Sequence, residues 1–427
     1  MIRRMGHNKG PGCFCIAMRK VFFAGHLRPF KHVGRHPQFE HIHNPPAGYE
    51  FVTSSQSSSP KSRTLKSLMR FGRDALANGS TVKDLSRFIR SRSLRSQISF
   101  PESVLSFLPS SPFILGQTPW VIEIEDTTTL FAPFPRVNGK RVYPRLLGLD
   151  GIYDSGFFPC IKALLENESC RGIICHVRST AESIPILFRN PELAEKVSYI
   201  PMGIRVPPSR KSRTDADTVT LLFTNSWHQG ATGFYLRGGL DVLEAYSVLY
   251  SEYKNLRLII RSKLPDDLAR RYRQMIERCN VAVIDRFLPE DEIRALFENS
   301  DIYLLPSARL HVVSLLQAMA YGLTVVASDG WGISEYIEHE KNGLIVAGRY
   351  GETSWMTPGG MLMEDYRPLL TPTPKVADAL RDNLATLIKD PRRRRQLGET
   401  ARRDVETKFS LESWNLGLAR AFDRALS

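Results

Sequence analysis

The chain has 427 residues, 42% of them hydrophobic and 24% charged, long enough for two or three domains with cores of their own and too apolar for a disordered chain. No run approaches the ~18 consecutive apolar residues of a spanning helix, which excludes a helical transmembrane segment. The six cysteines are scattered and form no C-x-x-C pair, so reduced thiols in a cytoplasmic protein are expected rather than a disulfide framework.

The net charge of +14 is unevenly spread. Residues 1–205 carry 28 Lys and Arg against 15 Asp and Glu, while residues 206–427 carry 30 against 29. The two halves therefore differ electrostatically and are expected to meet different partners. Ten of the cations fall in residues 61–95, against Asp74 and Asp84 alone.

Residues 1–17 read as a disordered extension, or Met18 as the true start. Arg3, Arg4 and Lys9 precede an apolar stretch too short for a secretion signal. A strand is expected over 20–25. A loop rich in His and Pro follows, then a low-complexity stretch over 53–61. From Leu65 the spacing turns helical, with Leu65, Leu68, Met69, Gly72 and Leu76 on one face and Lys66, Arg70 and Arg73 on the other. Strands are expected over 120–125, 173–175 and 198–201, with a helix from Ser179. Residues 206–217, rich in Pro, Ser and charge, form a linker. Beyond it, strands over 218–223, 256–260, 281–284, 302–305, 324–327 and 344–346 alternate with helices over 239–253, 266–278, 289–299 and 313–321. Such alternation implies parallel sheets covered by helices on both faces. The fold expected is α/β, with two doubly wound, Rossmann-like domains facing a cleft. A first domain covers 18–205, a second 218–405, and a last helical segment 406–427.

Open α/β sheets bind ligands at the carboxyl ends of their strands. Three such places in the second domain stand out. Thr224-Asn225-Ser226 leads on to Arg237-Gly238-Gly239, where a cation beside a helix start suits a phosphate. An ordinary loop with a solvated Arg is the alternative. The second place runs from Leu305-Pro306-Ser307 into a helix carrying Gln317, and the third from Ser328-Asp329-Gly330-Trp331-Gly332 to Glu335.

The second and third segments resemble the donor-binding region of GT-B glycosyltransferases of the large retaining, nucleotide-sugar-dependent group (glycosyl transferases group 1). That group has L-L-E-A-M-A-x-G-x-P-V-V-A-S, then G-G-x-x-E and N-G-L-x-V. This chain reads Leu315-Leu316-Gln317-Ala318-Met319-Ala320-Tyr321-Gly322-Leu323-Thr324-Val325-Val326-Ala327-Ser328, then Gly330-Trp331-Gly332-Ile333-Ser334-Glu335 and Asn342-Gly343-Leu344. The likeness covers about residues 218–415, whereas the first half matches only in outline. It implies GT-B architecture, with the acceptor on the first domain, the nucleotide sugar on the second and 406–427 as the closing helix, and transfer with retention of a sugar from a nucleotide-diphosphate donor to a glycan, lipid-linked or other hydroxyl acceptor.

The resemblance also locates two departures. The group has two glutamates eight positions apart, the first usually on the donor sugar and the second on the ribose. Here those slots hold Arg309 and Gln317. Gln can still meet a ribose hydroxyl. Arg309 can pair with a phosphate or an acidic sugar, or it moves sugar recognition to His311, or activity is lost. A degenerate module that binds nucleotide sugar or glycan without turnover is therefore the alternative function.

Arg237 and the backbone of Val313 and Ser314 suit a leaving diphosphate without a metal. Glu335 fills the G-G-x-x-E acid slot, or is merely a first-turn acid. Asp126, ending a strand, faces acceptor or sugar, or caps the next turn. The binding set expected is thus Asn225, Arg237, Gly238, His311, Val313, Ser314, Gln317 and Glu335, with Asp126, Arg237 and Arg309 closest to the chemistry. No metal is expected, since His32, His36, His41 and His43 match no ligand spacing. His176 is either a satisfied buried histidine or a ligand. The 61–95 window is a solvated face or a peripheral contact with anionic lipid at the membrane's inner face; no nucleic-acid motif accompanies it.

Overall fold

The computed structural model describes residues 18–24, 40–53, 69, 72–73, 76–77, 81–83, 86, 103–109, 119–131, 136–137, 140–141, 148–154, 158–208, 218–225, 231–349 and 370–427. Two six-stranded sheets, parallel throughout, form its frame. The first contains β1 (Arg19–Phe23), β2 (Tyr49–Val52), β3 (Leu105–Leu108), β4 (Trp120–Ile124), β5 (Cys170–Cys175) and β6 (Val197–Tyr199) in the order 2-1-3-4-5-6. The second contains β7 (Val219–Thr224), β8 (Leu256–Arg261), β9 (Val281–Val283), β10 (Ile302–Leu305), β11 (Thr324–Ser328) and β12 (Leu344–Val346) in the order 9-8-7-10-11-12. These are the two doubly wound α/β sheets expected from the alternation.

Every residue of β7, β10 and β11 is buried. Strands covered by helices on both faces have no solvent side, so they read as unbroken apolar runs rather than alternating ones. The helices used below are α1 (Phe158–Glu166), α2 (Arg178–Leu187), α3 (Gly239–Glu252), α4 (Arg270–Arg278), α5 (Glu290–Glu298), α6 (Val312–Ala320), α7 (Pro374–Lys389), α8 (Pro391–Thr407) and α9 (Leu411–Leu426). The sequence marks the starts of the last two. Asp390 accepts from the Arg393 N–H at 2.9 Å ahead of Pro391. Ser410 likewise accepts from the Ser413 N–H at 3.1 Å.

In the second sheet the strand order reverses between β7 and β10, the switch point where a crevice opens at the strands' carboxyl ends. The loops there pass unusually close together. Gly238 starts α3 at φ 78°, and a Cβ on it would lie 2.3 Å from Pro306 O. A Cβ on Gly330 would lie 2.2 Å from Ser307 O. Only glycine lets the loops after β10 and β11 and the start of α3 meet around one point.

Helix α9 returns to the first domain. Phe422 packs edge-on against Phe51, Phe107 and Tyr49, completing the core beneath β1–β3. The two chain crossings between the halves run side by side. Ile204 N–H donates to Phe409 O, and Leu411 N–H donates to Ile204 O, both at 2.9 Å. Gly203 permits this, since a Cβ there would meet Ser410 O at 2.1 Å.

Two strands of the six-stranded sheets escape the sequence reading: β2, at the edge of the first sheet, and β3, between β1 and β4; so does a separate two-stranded pair, Arg136–Val137 with Lys140–Arg141. The helix expected from Leu65 falls largely outside the described residues, as do Leu65, Lys66, Leu68 and Arg70 themselves. So do His32, His36, Ser226 and the low-complexity stretch beyond Thr53. Among the described residues no helix is long and apolar enough to cross a membrane. Cys160, Cys170, Cys175 and Cys279 are free thiols.

Candidate functional site

Arg237 is the electrostatic centre of the crevice. The sequence places it at a strand end, outside the core. The structure corrects this: it caps the carboxyl end of a short helix, Thr232–Leu236, and is only 1% exposed. That helix folds the side chain back over the end of β7. Its Nη1 donates to Thr224 O at 3.0 Å and reaches Ser314 Oγ, in the first turn of α6, at 3.3 Å. Burial pushes the guanidinium pKa down from 12.5 to about 10, and the nearby charges of Arg309 and Arg261 push the same way. It stays charged at neutral pH, in a place that disfavours charge.

Arg261, the last residue of β8, was not flagged by the sequence. Its strand was read as ending at Ile260, which left Arg261 as ordinary loop charge. Its Nη1 donates to Asn225 O at 2.8 Å. Asn225 is buried beneath the rim, with its amide 3.4 Å from Ser262 Oγ and packed under Gly233. Tyr303, on β10, bonds Thr224 Oγ1 at 2.9 Å and lies beside Arg237 and Arg261.

Arg309 is 8% exposed and its Nη1 lies 3.5 Å from Asp126 Oδ2, an ion pair between the two halves. Asp126 is 2% exposed. Arg309 is also bridged to Trp331: Leu310 N–H donates to Trp331 O at 2.7 Å and Trp331 N–H to Ala308 O at 2.9 Å. Set against G-G-x-x-E, Trp331 fills the slot of the first glycine. Its side chain is buried, and its indole Nε1 has no acceptor among the described residues.

His311 stands at the N-cap of α6 and is buried. Val313 and Ser314 are half-buried in the first turn, and Gln317 is half-buried one turn on. Gly238 sits against Pro306. Glu335 is the first-turn acid of a short helix, Ile333–Glu335. Its carboxylate accepts from the N–H groups of Arg178 at 2.6 Å and Ser179 at 3.3 Å, at the start of α2 in the first domain. A carboxylate on a helix N-terminus is favoured by the helix dipole. Here it ties the two halves, helped by the Tyr336 hydroxyl donating to His176 O at 2.9 Å.

His176 proves to be a satisfied buried histidine. Its Nδ1 lies 3.0 Å from Ile200 O and its Nε2 3.2 Å from Glu123 Oε1. Glu123 also accepts from Trp414 Nε1 of α9 at 3.0 Å. A cavity of about 540 Å³ lined by Thr218, Thr220, Arg257 and Asn280 opens at the opposite, amino ends of β7 and β8 and takes no part in this site.

Comparison with known proteins fits this geometry. Residues 234–355, which hold Arg237, Arg309, α6 and Glu335, match the family model described as glycosyl transferases group 1. Within residues 234–355 the chain is thus similar to group 1 glycosyltransferases, and its fold is GT-B. Over 81 residues it is 37% identical to the amylovoran biosynthesis glycosyltransferase AmsK of Erwinia amylovora, covering 17% of either chain. Over 160 residues it is 29% identical to the putative colanic acid biosynthesis glycosyltransferase WcaL of Escherichia coli K12, covering 35% of this chain and 33% of the relative. The matches thus span about a third or less of those relatives' lengths. Among solved structures, a glycosyltransferase from Rickettsia africae ESF-5 aligns with a TM-score of 0.54 at 11% identity, over 96% of this chain and 90% of its own. Alr3699/HepE of Anabaena, solved with UDP and glucose, aligns with a TM-score of 0.54 at 13% identity, over 95% and 99%. The glycosyltransferase domain and its fold thus match at both levels of comparison, the fold across nearly the whole chain.

Proposed function

We propose that this chain transfers a sugar from a nucleotide-diphosphate donor to a hydroxyl of a glycan or lipid-linked acceptor, with retention and without a metal. The observation that carries the reading is Arg237, a buried cation held between the end of β7 and the first turn of α6. Glycosyl transfer breaks the bond from the anomeric carbon to the diphosphate, and both electrons stay with the phosphate oxygen. The acceptor oxygen bonds to the anomeric carbon and gives up its proton. Negative charge thus grows on the leaving group, and a pre-placed guanidinium with helix-start N–H groups stabilises it with little reorganisation. The relatives' names, amylovoran and colanic acid biosynthesis, support a growing polysaccharide as acceptor. HepE was solved with UDP, which makes UDP-sugars the first donors to try.

A second reading, a module that binds nucleotide sugar without turnover, is favoured by one observation: the guanidinium in the departed glutamate slot is engaged by Asp126. One experiment separates the two. The full chain is incubated with a panel of nucleotide sugars, and both thermal shift and released nucleoside diphosphate are followed. Release, by hydrolysis or transfer, supports the enzyme. A shift without release supports the module, and no shift with any nucleotide sugar overturns both.

The same proposal places the protein in the cytoplasm, with a peripheral contact to anionic membrane through the cationic 61–95 window. In that window Met69, Leu76 and Val82 are 68%, 45% and 72% exposed, which suits an apolar face with somewhere else to go.

A further inference from the structure

Arg237 and Arg261 are seated on consecutive backbone carbonyls of one strand end. Arg237 Nη1 donates to Thr224 O and Arg261 Nη1 to Asn225 O, at 3.0 and 2.8 Å. The strands hold them there, because Arg261 pairs in register with Thr224 and Asn225 N–H donates to Arg261 O at 2.8 Å. A carbonyl is a neutral acceptor: it fixes a guanidinium in place and leaves its charge intact. Arg261 has no carboxylate partner among the described residues, and its Nε is enclosed without an acceptor. Its charge is felt at Arg237, whose pKa it helps to lower. Like charges set this close at a switch-point crevice are stabilised by an anion between them.

We propose that Arg261 is a second donor-binding cation, which grips the diphosphate of the nucleotide sugar alongside Arg237. This rests on the nucleotide-sugar reading above and adds to it a residue from a different element. Two guanidiniums, one from the end of β8 and one from the end of the short helix Thr232–Leu236, can each bind a phosphate oxygen in the forked, charge-assisted manner that one cannot extend over both phosphates. The competing role is a brace that only holds Asn225 O in place.

Calorimetric titration of the full chain with UDP and UMP, and with GDP and GMP should uridine nucleotides not bind, tests this. Arg261→Gln keeps an amide to brace Asn225 O but removes the charge. It is expected to weaken diphosphate binding about tenfold or more and monophosphate binding no more than about twofold, the scale of one lost charge-assisted contact. Arg261→Lys keeps the charge and is expected to keep the preference for diphosphate over monophosphate. Should the Gln variant fail to fold, loss of that preference in the Lys variant overturns the proposal. Wild-type affinity in Arg261→Gln, or equal weakening for both nucleotides, also overturns it. If Arg237→Met weakens diphosphate binding and Arg261→Gln does not, this inference falls and the nucleotide-sugar reading stands. If the wild-type chain binds neither diphosphate, both fall.

Discussion

A guanidinium taken out of water beside one carboxylate is held by a Coulomb attraction that must first offset the desolvation of both ions. Arg309 and Asp126 are in that position, and each makes the other tolerable. Arg309→Ala and Asp126→Ala are each expected to destabilise the protein by about 3 kcal/mol, since each takes a charged partner from a buried charge. The double variant Arg309→Met with Asp126→Leu is expected to cost much less than the two singles together, because no charge is left behind. Chemical denaturation of the four proteins checks this; additive losses would show that the two residues do not act as a pair. Arg309→Glu, which restores the group's usual carboxylate, sets two acids against each other unless Asp126 is changed as well. At this scale the sequence identified most of the residues in the crevice, because spacing and strand ends are local. It misplaced Arg237, because a five-residue helix carries too little periodicity to reveal that it folds its last residue inward. It passed over Arg261, and it named Asp126 and Arg309 without pairing them, since a strand-end charge gives no sign of what it faces across 183 residues of sequence.

Among the elements, α9 and β5 meet through Glu123, His176 and Trp414. Burial opposes charge on His176, but the Glu123 carboxylate, its hydrogen bond and Ile200 O together outweigh that and raise the imidazole pKa above 6.5. A raised pKa means that the folded state holds the proton more tightly. The stabilisation is therefore fully present below pH 6.5 and is lost as pH rises through the raised value, where deprotonation leaves Glu123 buried beside a neutral ring. The melting temperature is expected to fall across that interval. His176→Gln is expected to melt lower at acidic pH and to flatten the decline; a decline of unchanged slope would locate the titration elsewhere. The second sheet was legible almost to the residue, because its strands are solid apolar runs between well-marked helices. β2 and β3 were not. Four residues give at most two alternations, β2 follows a Pro-rich stretch, and Ser106 interrupts β3 although it is fully buried. Their importance comes from pairing on both sides of β1, a relation between distant segments.

Across the whole molecule, the charge asymmetry fits the membrane contact proposed above. Each Lys or Arg held near an anionic bilayer contributes about 1 kcal/mol, fading within a Debye length of about 8–10 Å at moderate salt. Co-sedimentation with anionic vesicles is expected at low salt and is expected to be lost at high salt. Changing Lys66, Arg70 and Arg73 together to Gln should weaken it. No binding at low salt would leave the window as a solvated face. Two doubly wound halves were legible, because two runs of strand–helix alternation are separated by a charged, Pro-rich stretch; the GT-B arrangement of those halves came from the motif resemblance at 315–344. How the halves touch was not legible, since every contact between them joins residues far apart in the chain.

The paired crossings at Ile204 and Leu411 restrict how those halves can move. A body tethered by one strand can swing, twist and slide. Two strands hydrogen-bonded edge to edge share a single line, with Gly203 pressed against Ser410 O to keep them together. Of the rotations open to two linked bodies, the one about that line leaves its bonds intact; the others stretch them. The spine therefore works as in a book, and the far edges part together. A turn about that line would part Asp126 from Arg309.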